Sequence, residues 1–456
     1  MAATEQATYI GAAVPRKEDR KLLTGQGSFV DNLTLPGMLW MALVRSPYPH
    51  ARIVAVNVAG AVGAPGVVAA YSGHDLAEEW AGSLPCAWPV TEDIETPPHY
   101  PLAQDKARYE GDAVAVVVAE SRAEALDAAE LVTVEWEPLP AVTDVEHALD
   151  EGAPLVHDDL PSNRCYVWPL EGGDVAKAFA DAEVTVSERY RQQRLIPSAI
   201  EPRGVLVQPV PATGELTLWS ATQVPHILRV TLSGVIGMPE SKLRVIAPDV
   251  GGGFGSKLNV YAEEALALAL ARRLGRPIKW TEERTEGFQA TIHGRDVIQE
   301  IELAATKEGR LTGIRVRLTA AMGAYLQLVT PGIPLLGAWI YNGAYDKFDQ
   351  IFASFEKCLF VGHSHTPCII NEDLEYLTPK DCDEHFVYTR DKRKIIVNVG
   401  SVGQPRDNDT RSCYVEITKN EIIFHRVTYD VKTTVQKIKD NNRLSDNLGL
   451  RLQKGV

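Results

Sequence analysis

The chain has 456 residues, a formal net charge of −14 at pH 7 and a sequence pI near 5.3. Nucleic-acid recognition needs a basic surface, so this acidic balance argues against nucleic acid as a partner and gives no support for an anionic membrane surface. Apolar runs stay well below the roughly 20 residues of a membrane span, and the N-terminus has no apolar signal core, so we expect a cytoplasmic protein.

Predicted strands and helices alternate through the first part of the chain. The run DAVAVVVAE (112–120) is apolar throughout, as in a buried strand, and a helical pattern and another strand follow it. A second cycle of strand, helix and strand begins at residue 215. A strongly amphipathic helix is then predicted over 263–275, with Gly275 as its C-cap. These elements predict an α/β or α+β class.

The segment GGGFGSK (251–257) is predicted to be a loop. It lacks the GK[ST] of a P-loop, and the dinucleotide fingerprint G-x-G-x-x-G fails at Ser256. Successive glycines leave backbone amides bare, so a phosphate or an oxo group can approach them closely. By itself the motif leaves two interpretations open, a cofactor loop and an unusually tight turn.

Eight short motifs, one of which contains this loop, follow one another along the chain. They are LLTGQGSFVDNL, LVRSPYPHARI, YEGDAVAVVVA, IPSAIEPRG, WSATQVPH, DVGGGFGSK, WTEERTEGF and HGR. Together they resemble the molybdenum-binding large subunit of the xanthine dehydrogenase/aldehyde oxidase family, in particular its carbon-monoxide-dehydrogenase large-subunit-like branch. The resemblance covers residues 1–346.

The resemblance implies a domain organisation for this part of the chain. Residues 1–20 would be an N-terminal arm, 21–145 an α/β hammerhead domain of the aldehyde oxidase type, and 155–346 the first half of the molybdopterin-binding region. Since the strand and helix pattern of the hammerhead region is complete, we expect its core to be self-contained. The resemblance also implies an iron–sulfur subunit and an FAD subunit as partners.

The same resemblance implies a set of cofactor-binding residues. Gln223 would hydrogen-bond a molybdenum oxo ligand, and the backbone of Gly252, Gly253, Phe254 and Gly255 would line the molybdopterin. Neutral donors suit an anionic oxo-molybdenum centre, and glycines bring them close without side-chain clash. On the residues alone, Gln223 is equally an ordinary polar residue ahead of a proline.

Two further expectations concern the charged and catalytic residues. Glu201 and Arg203, in the segment EPRG, are expected to form a structural ion pair. In the family a later A-Y-R loop and a Gly-Glu motif complete the substrate side and supply the base. The likeness ends after NGAY (342–345), so more than half of the usual subunit is missing, and no base is identified.

The composition changes near residue 346. All eight tryptophans lie before it, whereas a single alanine, Ala353, lies after it. Eight lysines precede this position and ten follow it in the last 110 residues. No Pro/Gly/Ser-rich linker marks a domain boundary there. The junction is therefore interpreted as a fusion, which could be a natural gene fusion, an engineered chimera or an assembly error.

The last part, residues 347–456, has a different set of motifs. VGHSHTP and NVGSVGQPR resemble the C-terminal part of a calcineurin-like metallophosphoesterase. The resemblance implies that His363 and His365 each bind one of two divalent ions such as manganese. It also implies that Arg406 and the backbone of Gly400–Gly403 lie close to a substrate phosphate.

A two-metal site needs further carboxylate, Asn and His ligands. The N-terminal D-x-H, G-D-x-x-D and G-N-H motifs that supply them in that family do not occur ahead of VGHSHTP in this sequence. The histidines are therefore expected to be unliganded. The strands of a partial metallophosphoesterase sandwich would have nothing of their own to pack against, so a homo-oligomer or an aggregate is expected.

The sequence thus predicts a fragment of a molybdenum hydroxylase large subunit fused to a metallophosphoesterase fragment, inactive by itself. Two alternatives stay open. One is a molybdenum hydroxylase component that another chain completes. The other is a divalent-metal phosphodiesterase with an N-terminal passenger.

Overall fold

The structure is a computed structural model that describes residues 15–335, 351–362, 364–373, 375–388, 393–440 and 446–455. The chain divides into two compact units. One is Arg20–Tyr341, and the other combines Met1–Asp19 with Asn342–Val456. No helix in the described ranges is long and apolar enough to cross a membrane.

The Arg20–Tyr341 unit contains most of the regular structure. Its strands are β1 (Leu39–Arg45), β2 (Ala51–Asn57), β3 (Val67–Ser72), β4 (Lys106–Ala107), β5 (Ala113–Ala119), β6 (Thr133–Pro138), β7 (Val184–Gln192), β8 (Gly204–Val210), β9 (Glu215–Ser220), β10 (Leu243–Ile246), β11 (Ile278–Thr281), β12 (Val297–Ala305) and β13 (Leu311–Ala320). The α-helices up to residue 335 are α1 (Asp19–Leu23), α2 (Ala59–Val62), α3 (Arg122–Ala129), α4 (Val175–Ala180), α5 (Pro225–Val235), α6 (Ala262–Leu274) and α7 (Arg284–Ala290). Short 3₁₀ turns lie at Val30–Asn32, Ala77–Glu79, Glu240–Lys242 and Thr330–Gly332.

A seven-stranded sheet in the order β10-β9-β8-β11-β1-β5-β3 crosses both predicted domains of this unit. The junction is the parallel pair β1–β11, in which Leu39 lies opposite Ile278. One hydrophobic core therefore includes Val116 of the hammerhead region together with Val207 and Leu266 of the following region. The prediction of a self-contained hammerhead core is wrong, because this core is shared with the following region. The sequence could not show this, since a strand pair between residues so far apart leaves no local signal.

Only one of the two predicted strand–helix–strand cycles forms a parallel pair. β9, α5 and β10 do so, with Leu216 opposite Leu243. In the other cycle, β5 is antiparallel to both of its neighbours, and β6 pairs with β2 in a separate sheet of order β4-β2-β6. The two strands differ in burial, since every residue of β5 is buried, whereas β6 is exposed or half-buried throughout. β6 therefore does not lie beside β5 in the buried sheet.

Helix α6 confirms the helix predicted over 263–275, and it ends at Gly275 with a left-handed φ of +64°. Its burial differs from the prediction of an amphipathic helix. Residues 263–271 are all buried, including Glu263 and Glu264. A helix buried on all sides in this way lies inside the core, so its two carboxylates need partners within the protein.

The other unit contains two sheets. Its strands are β14 (Cys358–Val361), β15 (Cys368–Asn371), β16 (Tyr376–Leu377), β17 (His385–Phe386), β18 (Ile395–Asn398), β19 (Ser412–Ile417) and β20 (Ile422–Val427), with a 3₁₀ turn at Pro379–Cys382 and helices α8 (Val431–Lys439) and α9 (Asp446–Lys454). The sheet orders are β14-β18-β15-β16 and β17-β20-β19. The predicted hairpin of β19 and β20 is confirmed.

The strands of this second unit share a core. Ile369 and Val397 of one sheet and Ile422 and Phe424 of the other belong to one buried cluster. The prediction that these strands have nothing of their own to pack against is wrong. Enough apolar positions remain on both sheets to bury one another.

Candidate functional site

The glycine-rich loop 251–257 lies between β10 and α6, and three of its residues have left-handed backbone. The φ angles are +102° at Gly252, +94° at Gly255 and +53° at Phe254. Such a φ is natural for glycine and uncommon for phenylalanine. The Phe254 side chain is 75% exposed. The loop is therefore held in a conformation that presents backbone and an aromatic ring to its surroundings.

Gln223, at the start of α5, lies directly against this loop. The Gln223 Oε1 accepts the backbone N–H of Gly255 at 3.0 Å, and the Gln223 backbone N–H donates to the carbonyl of Lys257 at 2.9 Å. A Cβ on Gly253 would lie 2.5 Å from Gln223 Oε1, so a larger residue there would displace the glutamine side chain. The structure thus brings together the glutamine and the glycines that the sequence analysis had grouped.

Several donors of this arrangement have no acceptor within the described residues. These are the backbone amides of Gly252, Gly253 and Phe254 and the side-chain NH₂ of Gln223. Since the carboxamide oxygen of Gln223 is already bonded, its NH₂ group is the part that can donate to a ligand. Neutral donors around a surface without side-chain bulk suit an anionic or oxo-bearing group.

An ion pair fixes the beginning of the loop. Glu201 Oε2 accepts the N–H of Gly251 at 2.7 Å and lies 2.8 Å from Lys257 Nζ, whose side chain is 1% exposed. Burial lowers the pKa of Lys257, and the neighbouring Glu201 opposes that shift. The predicted Glu201–Arg203 pair is wrong. Glu201 instead joins both ends of the loop.

Arg203 belongs to a separate, buried network. Its guanidinium lies 2.6 Å from Glu282 and 3.0 Å from Glu263, and it stacks 3.9 Å from the ring centre of Tyr261. Glu263 also pairs with Arg45 of β1 at 2.8 Å. Burial favours the neutral acid, but the two guanidiniums outweigh it and lower the pKa of Glu263 to about 2.

The network was missed by the sequence analysis. It joins β1, the start of β8, the start of α6 and the end of β11. Through Tyr261 it also contacts the segment between the glycine loop and α6. A signal was present in the sequence, since Glu263 and Glu264 stand directly before the apolar run 265–271 of the predicted helix. Carboxylates in such a position need buried cations, but the sequence does not say which arginines supply them.

Comparison with known proteins identifies the hammerhead region and the molybdopterin-binding region. The family model "Aldehyde oxidase and xanthine dehydrogenase, a/b hammerhead domain" matches residues 24–140, and "Molybdopterin cofactor-binding domain" matches residues 156–360. The carbon monoxide dehydrogenase large chain of Hydrogenophaga pseudoflava is 36% identical over 346 residues, which is 72% of this chain and 42% of that one. The nicotinate dehydrogenase large molybdopterin subunit of Eubacterium barkeri is 33% identical over 301 residues, which is 66% of this chain and 68% of that subunit.

The chain belongs to the aldehyde oxidase and xanthine dehydrogenase family. Among solved structures of this family, quinoline 2-oxidoreductase from Pseudomonas putida 86 is similar with a TM-score of 0.65 and 40% identity, covering 68% of this chain and 39% of that one. The chain spans 42% and 38% of the length of the first two curated relatives. The predicted family of the first part of the chain is confirmed.

The glycine loop fits the cofactor that this family binds. The matched cofactor-binding domain includes the whole loop and Gln223. The missing Cβ at Gly253 lets the Gln223 side chain pack against the loop, and the backbone amides without an acceptor among the described residues supply neutral donors for an oxo or phosphate group. The family membership therefore supports molybdopterin as a cofactor, and the local geometry agrees with it.

Two of the predicted phosphoesterase residues, His365 and Arg406, lie together in the other unit. His363 lies outside the described residues. His365 has a φ of +62°, its Nδ1 lies 2.8 Å from the Gln404 carbonyl, and its own carbonyl accepts the N–H of Arg406 at 3.2 Å. The Arg406 side chain is exposed. The structure thus brings His365 and Arg406 together.

This cluster has little that could hold a metal or a phosphate. Within the ranges that the structure describes, no group of three or more His, Cys, Asp or Glu side chains could bind an ion. The amides of Gly400 and Gly403 already donate to Asn398 and Ser401. A divalent-metal cofactor is therefore not supported. A solved metallophosphoesterase from Sphaerobacter thermophilus matches 23% of this chain with a TM-score of 0.21, a likeness that supports no conclusion about fold.

Proposed function

We propose that the Arg20–Tyr341 unit is the N-terminal part of a molybdenum hydroxylase large subunit and forms one wall of the pocket for molybdopterin. The observation behind this proposal is the contact of Gln223 with the glycine loop. It leaves one side-chain NH₂ and three backbone amides without an acceptor among the described residues, in a loop where four of the five residues 251–255 are glycine. When bound, the cofactor supplies the two-electron oxidation chemistry of an oxidoreductase.

The residues have distinct roles in this proposal. The NH₂ of Gln223 donates a hydrogen bond to an oxo ligand of molybdenum. The amides of Gly253 and Phe254 donate to oxygen atoms beside it, while Gly252 and Gly255 allow the backbone to turn. Lys257 and Glu201 hold the loop in place, because they join its two ends from behind.

Turnover needs more than this wall. The chain spans about two fifths of the first curated relatives, at 42% and 38% of their lengths, and its sequence identifies no residue for the role of the base. We therefore propose that the chain binds substrate and reacts only after completion by further polypeptide. An iron–sulfur subunit and an FAD subunit would then accept the electrons.

One observation favours a component that is completed by another chain. The Eubacterium barkeri relative is named as a large molybdopterin subunit, and this chain covers 68% of it. Subunits only moderately longer than the matched region therefore exist in the family. The fused fragment and the completed component make different predictions, since only the second binds molybdopterin stably when its partner is present.

For the other unit we propose a metallophosphoesterase fragment without hydrolytic activity. The motifs around His365 and Arg406 support the origin, and the sequence ahead of VGHSHTP lacks the motifs that would supply the other metal ligands. Hydrolysis of bis-p-nitrophenyl phosphate at millimolar manganese, lost in His365→Ala, would instead establish a phosphodiesterase.

The cofactor proposal is tested by the molybdenum content of the full chain, co-expressed with the completing polypeptide in a host that makes molybdopterin. Gln223→Ala removes the proposed donor, and Gln208→Ala removes an equally exposed glutamine of β8 as a matched control. We expect Gln223→Ala to lose most of the metal and Gln208→Ala to keep it. Equal molybdenum in both variants would contradict the assigned role of Gln223.

A further inference from the structure

Helix α6 begins with two buried carboxylates that have different kinds of partner. Glu263 lies 3.0 Å from the guanidinium of Arg203 and 2.8 Å from that of Arg45. Glu264 is 6% exposed and, in the described part of the chain, has no cation as an ion-pair partner. Burial raises the pKa of Glu264 to about 7. A buried carboxyl group without a cation is costly, so this position needs a local explanation.

The two oxygens of Glu264 accept hydrogen bonds from two different segments. Oε2 accepts the backbone N–H of Tyr261 at 2.9 Å, and Oε1 accepts the hydroxyl of Ser220 at 2.7 Å. The first bond is an ordinary helix cap, in which a side chain of the first turn satisfies a free N–H at the start of α6. The second bond joins α6 to the end of β9, and helix capping does not account for it.

The Ser220 side of this arrangement leads to Gln223. Ser220 is the last residue of β9, and its carbonyl accepts the N–H of Thr222 at 2.9 Å. The Thr222 hydroxyl and the Gln223 N–H both donate to the Lys257 carbonyl, at 3.3 Å and 2.9 Å. Glu264 therefore holds the strand end from which the Gln223 side chain reaches the glycine loop.

The Tyr261 side leads to the glycine loop itself. The Tyr261 hydroxyl donates to the carbonyl of Ser256. The Ser256 N–H and hydroxyl both donate to the Gly253 carbonyl at 2.9 Å. Tyr261 is 5% exposed, so this connection lies within the protein, behind the loop. Glu264 thus contacts both segments that build the candidate site.

We propose that Glu264 is a positioning residue that holds Gln223 and the glycine loop in register, so that the donors of both converge on one ligand. It acts through Ser220 and Tyr261, since both of its oxygens are bonded to them. This inference rests on the proposed function, because the surface that Glu264 aligns is the proposed wall of the molybdopterin pocket.

Hydrogen exchange in the full chain without molybdenum tests the proposal. The Gly255 amide donates to Gln223 Oε1 and therefore reports on the contact between the two segments. The amide of Val116, a fully buried residue of β5, reports on opening of the whole core. The measured quantity is the exchange rate at Gly255 relative to the rate at Val116, by mass spectrometry with peptide fragmentation.

Four variants separate the possible roles of the carboxyl group. Glu264→Met removes both acceptors, and Ser220→Ala removes only the bond to β9 and leaves the helix cap. Glu264→Gln keeps an acceptor for Tyr261 and supplies an NH₂ group that can donate to the Ser220 oxygen. Glu215→Met is the matched control, because Glu215 is an exposed glutamate at the start of the same strand β9.

We expect the relative exchange rate at Gly255 to rise about tenfold or more in Glu264→Met and roughly three- to tenfold in Ser220→Ala, which is the range for the loss of one or two net hydrogen bonds. Glu264→Gln and Glu215→Met should stay within about twofold of the unaltered chain. Circular dichroism verifies folding, and Ser220→Ala alone decides the outcome if Glu264→Met does not fold.

Three results would overturn the proposal. An equal rise at Gly255 and Val116 would mean that Glu264 only stabilises the fold. An unchanged rate in Ser220→Ala would reduce Glu264 to a helix cap, and a loss of protection in Glu264→Gln as large as in Glu264→Met would show that the hydrogen bonds are not what matters. Because the measurement uses no molybdenum, a chain with the expected exchange pattern that binds no metal would overturn only the cofactor proposal.

Discussion

The side-chain oxygen of Gln223 accepts the backbone N–H of Gly255 at 3.0 Å, which fixes the glycine loop against the start of helix α5. This one contact orients the Gln223 NH₂ away from the loop's own amide and leaves it free to donate. The candidate site therefore depends on backbone geometry that a Cβ can disturb, and on ion pairs behind the loop that keep it in place.

Gly253→Ala should disturb this contact directly. The added Cβ would lie 2.5 Å from Gln223 Oε1, so the glutamine has to move. We expect a loss of roughly 1–3 kcal/mol in the free energy of unfolding, as for other overpacked positions, together with a loss of bound molybdenum.

Gly172→Ala is the matched control, since its Cβ would meet nothing within 4 Å. It should leave both quantities unchanged. Thermal denaturation and metal analysis measure them. An unchanged melting temperature and metal content in Gly253→Ala would show that Gln223 does not hold the loop.

Lys257 and Glu201 should show strong coupling. Lys257→Met leaves the Glu201 carboxylate, whose side chain is 14% exposed, without its cation, and we expect a cost of roughly 2–4 kcal/mol. Glu201→Gln in the same chain removes the stranded charge and still accepts the Gly251 N–H. The double variant should therefore recover part of the loss.

A double-mutant cycle in denaturant measures this coupling. Additive effects of the two substitutions would mean that the pair contributes nothing specific to the loop. Hydrogen exchange at the Gly251 amide reports on the loop itself, and its protection should fall in Lys257→Met.

Arg203 should be among the most sensitive positions of the Arg20–Tyr341 unit. Its side chain is 6% exposed and pairs with two carboxylates that are each 3% exposed. Arg203→Met strands the Glu282 carboxylate and leaves Glu263 with Arg45 as its remaining cation, so we expect a loss of roughly 3–5 kcal/mol in the free energy of unfolding. Urea denaturation is the measurement.

Arg52→Ala provides the contrast, since the Arg52–Glu137 pair is 52% and 57% exposed. Its removal should change stability by less than about 1 kcal/mol. Similar losses in the two variants would argue against the buried network as the element that ties β1 to α6.

His99 should make stability depend on pH. It is 7% exposed, stacks 4.0 Å from the Tyr325 ring, and its Nδ1 has no partner among the described residues. Burial lowers its pKa to about 4. The unfolded chain then binds more protons between pH 6.5 and 4, so the contribution of His99 is complete above pH 6.5 and is lost as the pH falls towards 4.

His99→Phe keeps the stack and removes this titration. Relative to it, the unaltered chain should lose about 3 kcal/mol between pH 7 and pH 4. His74→Phe, whose side chain is 65% exposed, is the control and should follow the unaltered chain. Parallel pH profiles of all three proteins would contradict the assignment of a neutral buried histidine.

Local patterns in the sequence predicted local structure well. The glycine loop, the helix that follows it and its Gly275 cap are confirmed, because apolar periodicity and glycine conformation act over a few residues. Gln223 and the loop were grouped from motifs, and the structure places them in contact.

Long-range pairing was not predictable in the same way. Glu201 and Arg203 are two residues apart, yet the first pairs with Lys257 and the second with Glu263 and Glu282. Proximity in sequence suggested a pair, but the partners come from other elements of the fold. The continuous seven-stranded sheet was missed for the same reason, since the parallel pair β1–β11 has no local signal.

The most direct test of the account is the molybdenum and pterin content of the unaltered full chain, co-expressed with the completing polypeptide in a host that makes molybdopterin. The account predicts that molybdenum and pterin elute together with the chain, each in an amount equimolar to it. A folded, complexed chain that contains neither molybdenum nor pterin would contradict it.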